Sequence, residues 1–248
     1  MDWGRAKTVL IISFLSLNIL LAYQLWVNRW SQAAGISSDR LIEETNRILA
    51  AKGIRLLSDI PKDTPTLSSI SVHWGEEYQP LKSVELSTPI PVSLLLDSAS
   101  TRDLGTWLGL EHFGEYELDA AASSQDVYVF YQMADGLPMF DVTLQFYADQ
   151  NEIIGYKQAY VEVKSSEEPK ERETQKIISA YTAIRSLAEN YLKEGAVITD
   201  VRLGYHGQLF DSEDQTFVPY WRVLISDGEP YYVHAFTGAV EGLPPIQP

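Results

Sequence analysis

The run Val9–Val27 constrains this chain more than any other stretch. It reads Val-Leu-Ile-Ile-Ser-Phe-Leu-Ser-Leu-Asn-Ile-Leu-Leu-Ala-Tyr-Gln-Leu-Trp-Val and carries no formal charge from end to end. A helix rises about 1.5 Å per residue, so a run of this length nearly crosses a hydrocarbon core of roughly 30 Å. Arg5 and Lys7 precede it, and flanking cations stay cytoplasmic. The expectation is a single-pass cell-membrane protein with residues 1–8 inside, an anchor at 9–27 and the bulk of the chain extracellular. Ser31-Gln32-Ala33 resembles a weak cleavage site. The run is nevertheless longer than a signal-peptide core and ends in bulky residues, which favours an anchor. Trp3 before the run and Tyr23, Trp26 and Trp30 at its outer end fit the interfacial belts where aromatic rings settle.

Four polar residues lie at or near membrane depth: Ser13, Ser16, Asn18 and Gln24. At about 100° per residue, Ser13, Ser16 and Gln24 share one face with Leu20, while Asn18 points elsewhere. Amides in hydrocarbon seek partners, so one reading is a helix that docks on another membrane helix through these residues. The other is a plain anchor whose Gln24 snorkels and whose serines bond their own backbone.

Beyond the run the chain is acidic. Of 19 Lys+Arg and 34 Asp+Glu, only Arg5, Lys7 and Asp2 precede it, and the whole chain carries −15. Such a charge argues against nucleic acid and anionic lipid as partners. The 45% hydrophobic content and 14 tyrosines supply a core and exclude a disordered chain. The absence of cysteine excludes disulfides and thiolate metal sites.

The patterning predicts an α+β fold, with one N-terminal transmembrane helix followed by an ectodomain of two similar lobes, each a helix packed on an antiparallel sheet. A neck at 28–37 leads to a first lobe at 38–164. That lobe opens with a helix from Asp39 to Lys52, capped by Ser38 and stopped by Gly53. Strands are expected at 54–57, 69–74 and 81–86, and a short helix ends near Gly109. Then comes a meander: 126–133, an Ala134-Asp135-Gly136 turn, 137–147 with Phe140, Val142, Leu144 and Phe146 on one face, and a return over 153–163. The charged stretch 165–173 separates a second lobe at 174–242. A helix at 174–193 precedes strands at 197–207, 217–225 and 231–235 and a last one near Val240. The tail 243–248 is extended and proline-rich.

No catalytic pattern emerges. The four histidines, His73, His112, His206 and His234, lack paired metal-ligand spacing, and no nucleophile elbow or phosphate-cradling glycine loop occurs. Asp211-Ser-Glu-Asp214 reads as a solvated acidic turn, since it lacks calcium-loop spacing. No catalytic residue, metal or cofactor is assigned. Tyr128, Phe130, Tyr131, Trp221, Tyr231 and Tyr232 either line a peptide or glycan groove or belong to the core, and at strand spacing the core reading leads.

The opening Met-Asp-Trp, the Lys7-Thr8 pair and the Leu17-Asn18 inside the apolar run resemble the YycI family. So do Gly136-Leu-Pro-Met-Phe140 leading to Ile154-Gly-Tyr-Lys-Gln-Ala-Tyr160, and Pro219-Tyr-Trp-Arg-Val223 leading to Tyr232-Val-His-Ala-Phe-Thr-Gly-Ala-Val240. The resemblance implies two α+β lobes and a non-enzymatic, membrane-anchored accessory regulator of a cell-wall two-component system. Its implied partners are a YycG/WalK-like sensor histidine kinase and a YycH-like protein, and it favours Ser13, Ser16, Asn18 and Gln24 as partner-helix contacts. The alternative function is an anchored extracytoplasmic peptide- or glycan-binding module with no kinase partner.

Overall fold

A computed structural model describes residues 14, 17, 18, 38–75, 82–96, 104–164, 174–207, 212–226 and 228–241. The chain separates into two compact units, Met1–Glu44 and Thr45–Pro248. Among the described residues no helix is long and apolar enough to cross a membrane. Of Val9–Val27, only Phe14, Leu17 and Asn18 are described, and they are helical and exposed. The neck at 28–37, the break at 165–173 and the tail at 243–248 lie outside the described residues.

Among the described residues sheet dominates, with 47% strand against 22% helix. The strands are β1 (Arg55–Leu56), β2 (Thr66–Leu67), β3 (Ile70–Trp74), β4 (Lys82–Pro91), β5 (Tyr116–Asp119), β6 (Val127–Ala134) and β7 (Leu137–Asp149). There follow β8 (Glu152–Gln158), β9 (Val161–Lys164), β10 (Gln175–Lys176), β11 (Val197–His206), β12 (Asp214–Ile225), β13 (Tyr231–His234) and β14 (Val240–Glu241). The helices are α1 (Ser38–Ala51), α2 (Ser93–Leu96) and α3 (Ala180–Asn190), and residues 104–108 are also helical.

The meander forms where the alternation and the turn residues agree. Asp135 and Gly136 take φ of 50° and 77°, the doubly left-handed turn whose twist matches a hairpin. Gln150 and Asn151 repeat it at 47° and 68°, a costlier conformation for Gln than for Asn. Phe140, Val142, Leu144 and Phe146 are all buried, but they serve three separate clusters. β5 and β4 extend the meander at either side, giving the antiparallel order β5-β6-β7-β8-β4.

The expected pair of helix-on-sheet lobes is not what these residues build. Strands from both sides of 165–173 join one connected twelve-stranded sheet. β11 pairs in parallel with β7 at Tyr205↔Met139 and with β1 along Arg55–Leu56. β12 is long enough to pair with β3 at its start and with β11 and β13 further on. Leu49 of α1 packs in the same cluster as Ala183, Ile184 and Leu187 of α3, over Trp221, Val223 and Val233. The Lys52 ammonium donates to the Ala188 and Glu189 carbonyls at 2.6 and 3.1 Å, placing a cation at the carbonyl end of α3. Both helices therefore cover the β11-β12-β13 region. The face of the β5–β8 meander is filled instead by α2, the 104–108 turn and Phe113. Helical periodicity says which side of a helix is buried but not which sheet buries it, and the two-lobe expectation fails at that step.

Other boundaries shift for local reasons. The predicted helix at 174–193 begins only at Ala180. Ser179 caps it by accepting the Thr182 N–H, and Gln175–Lys176 pairs instead with Thr66–Leu67. The return strand at 153–163 splits after Gln158, with β8 pairing β7 and β9 pairing β3. Buried Gln132 holds the split. Its amide donates to the Val161 carbonyl at 2.8 Å and accepts the Val161 N–H at 3.0 Å, standing in for a neighbouring strand.

The β11–β7 junction is closely packed. A Cβ on Gly204 would lie 2.5 Å from the Pro138 carbonyl oxygen and 2.5 Å from the Phe140 ring. Gly204→Ala is therefore expected to cost about 1–3 kcal/mol in urea unfolding, the range for overpacking. An unchanged midpoint would show that the two strands are not in close contact there.

Candidate functional site

From Phe217 on, β12 reads Phe217-Val-Pro-Tyr-Trp-Arg-Val-Leu-Ile225, a nearly continuous apolar run with one cation inside it. Alternation sends Trp221 and Val223 to the helix-covered core and turns Tyr220 and Arg222 to the opposite face. Arg222 is 1% exposed. Its cross-strand neighbour on β11 is Arg202, and two like charges directly opposed destabilise a sheet unless an anion stands between them. Asp119 of β5, itself 2% exposed, is that anion. Its Oδ2 accepts from Arg222 Nη2 at 2.7 Å and from Arg202 Nη1 at 3.3 Å. Arg222 Nη2 also donates to Asp200 Oδ2 at 2.8 Å, Arg222 Nη1 to the Tyr131 hydroxyl at 3.1 Å, and Arg202 Nη2 to Glu117 Oε1 at 2.8 Å.

Aromatic rings enclose the guanidinium. Its carbon lies 4.8 Å from the Phe140 ring centre and 5.4 Å from that of Tyr131, within cation–π range. Arg222 Nε is buried without a hydrogen-bond partner, so the nearby ring faces and carboxylates must offset its desolvation. Burial raises the Asp119 pKa, but the Arg222 charge and hydrogen bond, the Ala122 N–H and Arg202 outweigh it and hold the carboxyl below its ordinary value. Burial pushes the Tyr131 phenol up.

The seam continues toward the last strands. His206 Nδ1 meets Asp141 Oδ1 at 2.9 Å, and Asp141 Oδ2 also accepts the Gly207 N–H at 2.9 Å. The imidazole stacks on Tyr232 at 4.1 Å and stands edge-on to Tyr220. Burial, reinforced by Glu241, pushes the Tyr220 phenol up, and burial does the same to Tyr232. A division of labour is visible. β5 and β7 supply Glu117, Asp119 and Asp141, while β11 and β12 supply Arg202, Arg222 and His206 together with one carboxylate, Asp200. The seam is thus an internal interface with charge complementarity.

Two smaller polar groups lie outside it. His112, at a left-handed φ of 58°, stacks on Tyr160 and meets Glu115 at 2.9 Å. Asp214 accepts from His73 and Lys164 at 2.7 and 2.6 Å across β3, β9 and β12. Those two hydrogen bonds hold its carboxyl below the ordinary range. Asp214 is exposed, in line with a solvated acidic residue, but it opens β12 and clasps three strands instead of lying in a turn. Among the described residues no group of three or more His, Cys, Asp or Glu is arranged to hold a metal ion.

Of the partner-helix candidates, Asn18 is helical and exposed, and Ser13, Ser16 and Gln24 lie outside the described residues. Phe130, Tyr131, Trp221 and Tyr231 are buried, with Tyr128 and Tyr232 half-buried, so these aromatics build cores. His206 and His234 lie in one sheet, separated by Tyr220 of β12. The Arg222 seam was not singled out from the sequence. Its signal was the lone arginine in an apolar strand, which requires a buried counter-ion.

These features define a predominantly β protein whose halves are joined by a buried ionic seam. Residues 81–236 match the family described as YycI protein, and the chain belongs to that family. The family comprises regulatory accessory proteins of the YycFG two-component system. Curated proteins give no match. Among solved structures, the chain is similar to an uncharacterized protein from Eubacterium rectale at 10% identity and a TM-score of 0.38, covering 82% of this chain and 80% of that one. It is also similar to the YpeB C-terminal domain of Bacillus megaterium at 12% identity and a TM-score of 0.35, covering 86% and 99%.

Asp119 couples the seam to pH. Its folded pKa is depressed, so its stabilisation is fully present above the unfolded value near 4 and is lost as pH falls through the folded value. Arg222→Met leaves the carboxylate buried with Arg202 alone. It is expected to cost about 3–5 kcal/mol at pH 7 in urea unfolding. Burial then dominates the Asp119 pKa and raises it, so the deficit against the unsubstituted protein narrows between pH 7 and pH 5. A deficit independent of pH would show that Arg222 does not hold the Asp119 charge.

Proposed function

We propose that this chain is a cell-membrane-located, extracytoplasmic regulator that associates with a YycG/WalK-like sensor histidine kinase and a YycH-like protein. In this reading it modulates cell-wall two-component signalling. The observation that carries the proposal is the family match over residues 81–236, a span that takes in the seam from Asp119 to Tyr232. The proposed location has the N-terminus cytoplasmic and the bulk of the chain outside. It is supported by the charge-free sequence Val9–Val27 and the preceding Arg5 and Lys7.

The mechanism is differential binding. An accessory protein shifts a kinase between two states only by binding one of them better. A difference of about 1–3 kcal/mol changes the balance from about fivefold to about 150-fold. A domain whose halves are tied by buried ion pairs presents a fixed surface, and a fixed surface limits the ordering cost of association. Ser13, Ser16, Asn18 and Gln24 are the proposed contacts along the apolar run, where side-chain amides contribute roughly 0.6–2 kcal/mol each.

Crosslinking in native membranes followed by purification and mass spectrometry tests the proposal. A histidine kinase is expected with the unsubstituted chain. Its recovery should fall several-fold with Asn18→Leu combined with Gln24→Leu while the variant stays in the membrane fraction. Absence of any kinase with the unsubstituted chain overturns the partner assignment. Equal recovery with both chains overturns the contact residues.

A further inference from the structure

The sheet ends in a hairpin whose turn is built on a histidine acceptor. His234 Nδ1 accepts the Phe236 N–H at 3.2 Å, so this nitrogen carries no proton and the imidazole is neutral. Two backbone bonds complete the turn, His234 N–H to the Ala239 carbonyl and Gly238 N–H to the His234 carbonyl, both at 2.8 Å. Gly238 supplies the left-handed residue at φ 77°. Among the described residues β14 is held by two register pairs, Tyr232↔Glu241 and Val233↔Val240, and the described part of the strand leans on its turn for stability.

We propose that the β13–β14 hairpin is an acid-responsive latch in which protonation of His234 opens the turn and releases β14 from the end of the sheet. Protonation places an N–H donor where the Phe236 N–H already points, and two donors facing one another cannot bond. The ring is half-buried between Tyr220 at 5.0 Å and Phe236 at 5.7 Å, so solvent compensates the new charge incompletely. The titratable groups facing His234 are the Tyr220 phenol of β12 and the Glu241 carboxylate of β14. Burial disfavours the imidazolium, and it outweighs the hydrogen bond to the residue's own backbone and the Glu241 charge, which both favour it, so the His234 pKa lies below its ordinary value.

With the folded pKa depressed, the unfolded chain takes up the proton first. Stability is then full above the unfolded value near 6.5 and falls as pH drops through it toward the folded value. Release of β14 would withdraw Glu241 from Tyr220 and from His206, whose Nε2 lies 3.8 Å away. The open end of the ionic seam would thereby be uncovered. This inference is independent of the kinase proposal.

Amide hydrogen exchange of the full chain at pH 7.5 and pH 4.5, corrected for intrinsic rates, tests the latch. His234→Asn is the comparison, because an Asn oxygen accepts the N–H two residues on, as in an Asx-turn, but does not titrate. Protection of Phe236 and Gly238 is expected to fall at least about threefold in the unsubstituted chain while Leu203 and Val223 hold, and to stay level in His234→Asn. Constant protection in the unsubstituted chain overturns the latch. So does an equal fall in the variant, or a loss shared by the whole sheet. If His234→Asn lacks the hairpin altogether, NMR titration of the unsubstituted chain decides. Coincident midpoints for the His234 ring protons and the Phe236 amide support the latch, and separate midpoints overturn it.

Discussion

A guanidinium that is 1% exposed governs how this sheet is assembled. Arg222 reaches its position because β12 must bury Trp221 and Val223 against the helices, and strand alternation then turns the residue between them the other way. Nothing on β11 or β13 neutralises it in full, since Arg202 lies directly opposite and adds a second positive charge. Asp200 answers part of the field from the same face. The remainder is met by Asp119, which arrives from β5, far away in sequence. Burying either charge alone costs several kcal/mol, so the two faces are closed upon each other wherever the protein is folded.

That constraint accounts for the departure from two independent lobes. Duplicated lobes would each close their own core and meet through a surface of ordinary polarity. Here β5, β6 and β7 present carboxylates and rings to β11, β12 and β13, which present arginines and an imidazole. Among the described residues the backbone joins β5–β7 to β11–β13 through one register pair, Tyr205↔Met139, with Gly204 admitting Phe140 and the Pro138 carbonyl, while the β12–β3 and β11–β1 ladders link the halves away from the seam. Side-chain electrostatics and aromatic packing thus do at this seam what a ladder of backbone bonds does elsewhere.

The sequence showed a good deal of the local structure. The hairpin at Asp135-Gly136, the buried alternation from Phe140 to Phe146 and the first helix through Gly53 follow from period and turn chemistry. The strands of β11 to β14 follow in the same way. What stayed hidden was pairing across long separations. Ile54–Leu57 reads as a strand, but no local property directs it to β11. Ile153–Val163 reads as one strand because nothing local reveals that Gln132 will replace a neighbour at Val161. The seam was partly legible, in that Arg222 in an apolar strand demands a counter-charge. Choosing Asp119 among 34 acidic residues required the register.

The central claim is that Arg222 and Asp119 are energetically one unit across the seam. A double-mutant cycle with Arg222→Met, Asp119→Leu and the double variant, by urea unfolding at pH 7, tests it most directly. The double variant is expected to be more stable than the sum of the single losses allows, with a coupling of about 2–3 kcal/mol, because each single change leaves a buried charge without its shortest ion pair and the double change removes both charges. Single losses that simply add, within about 0.5 kcal/mol, would contradict it and show that the halves are joined by something other than this pair.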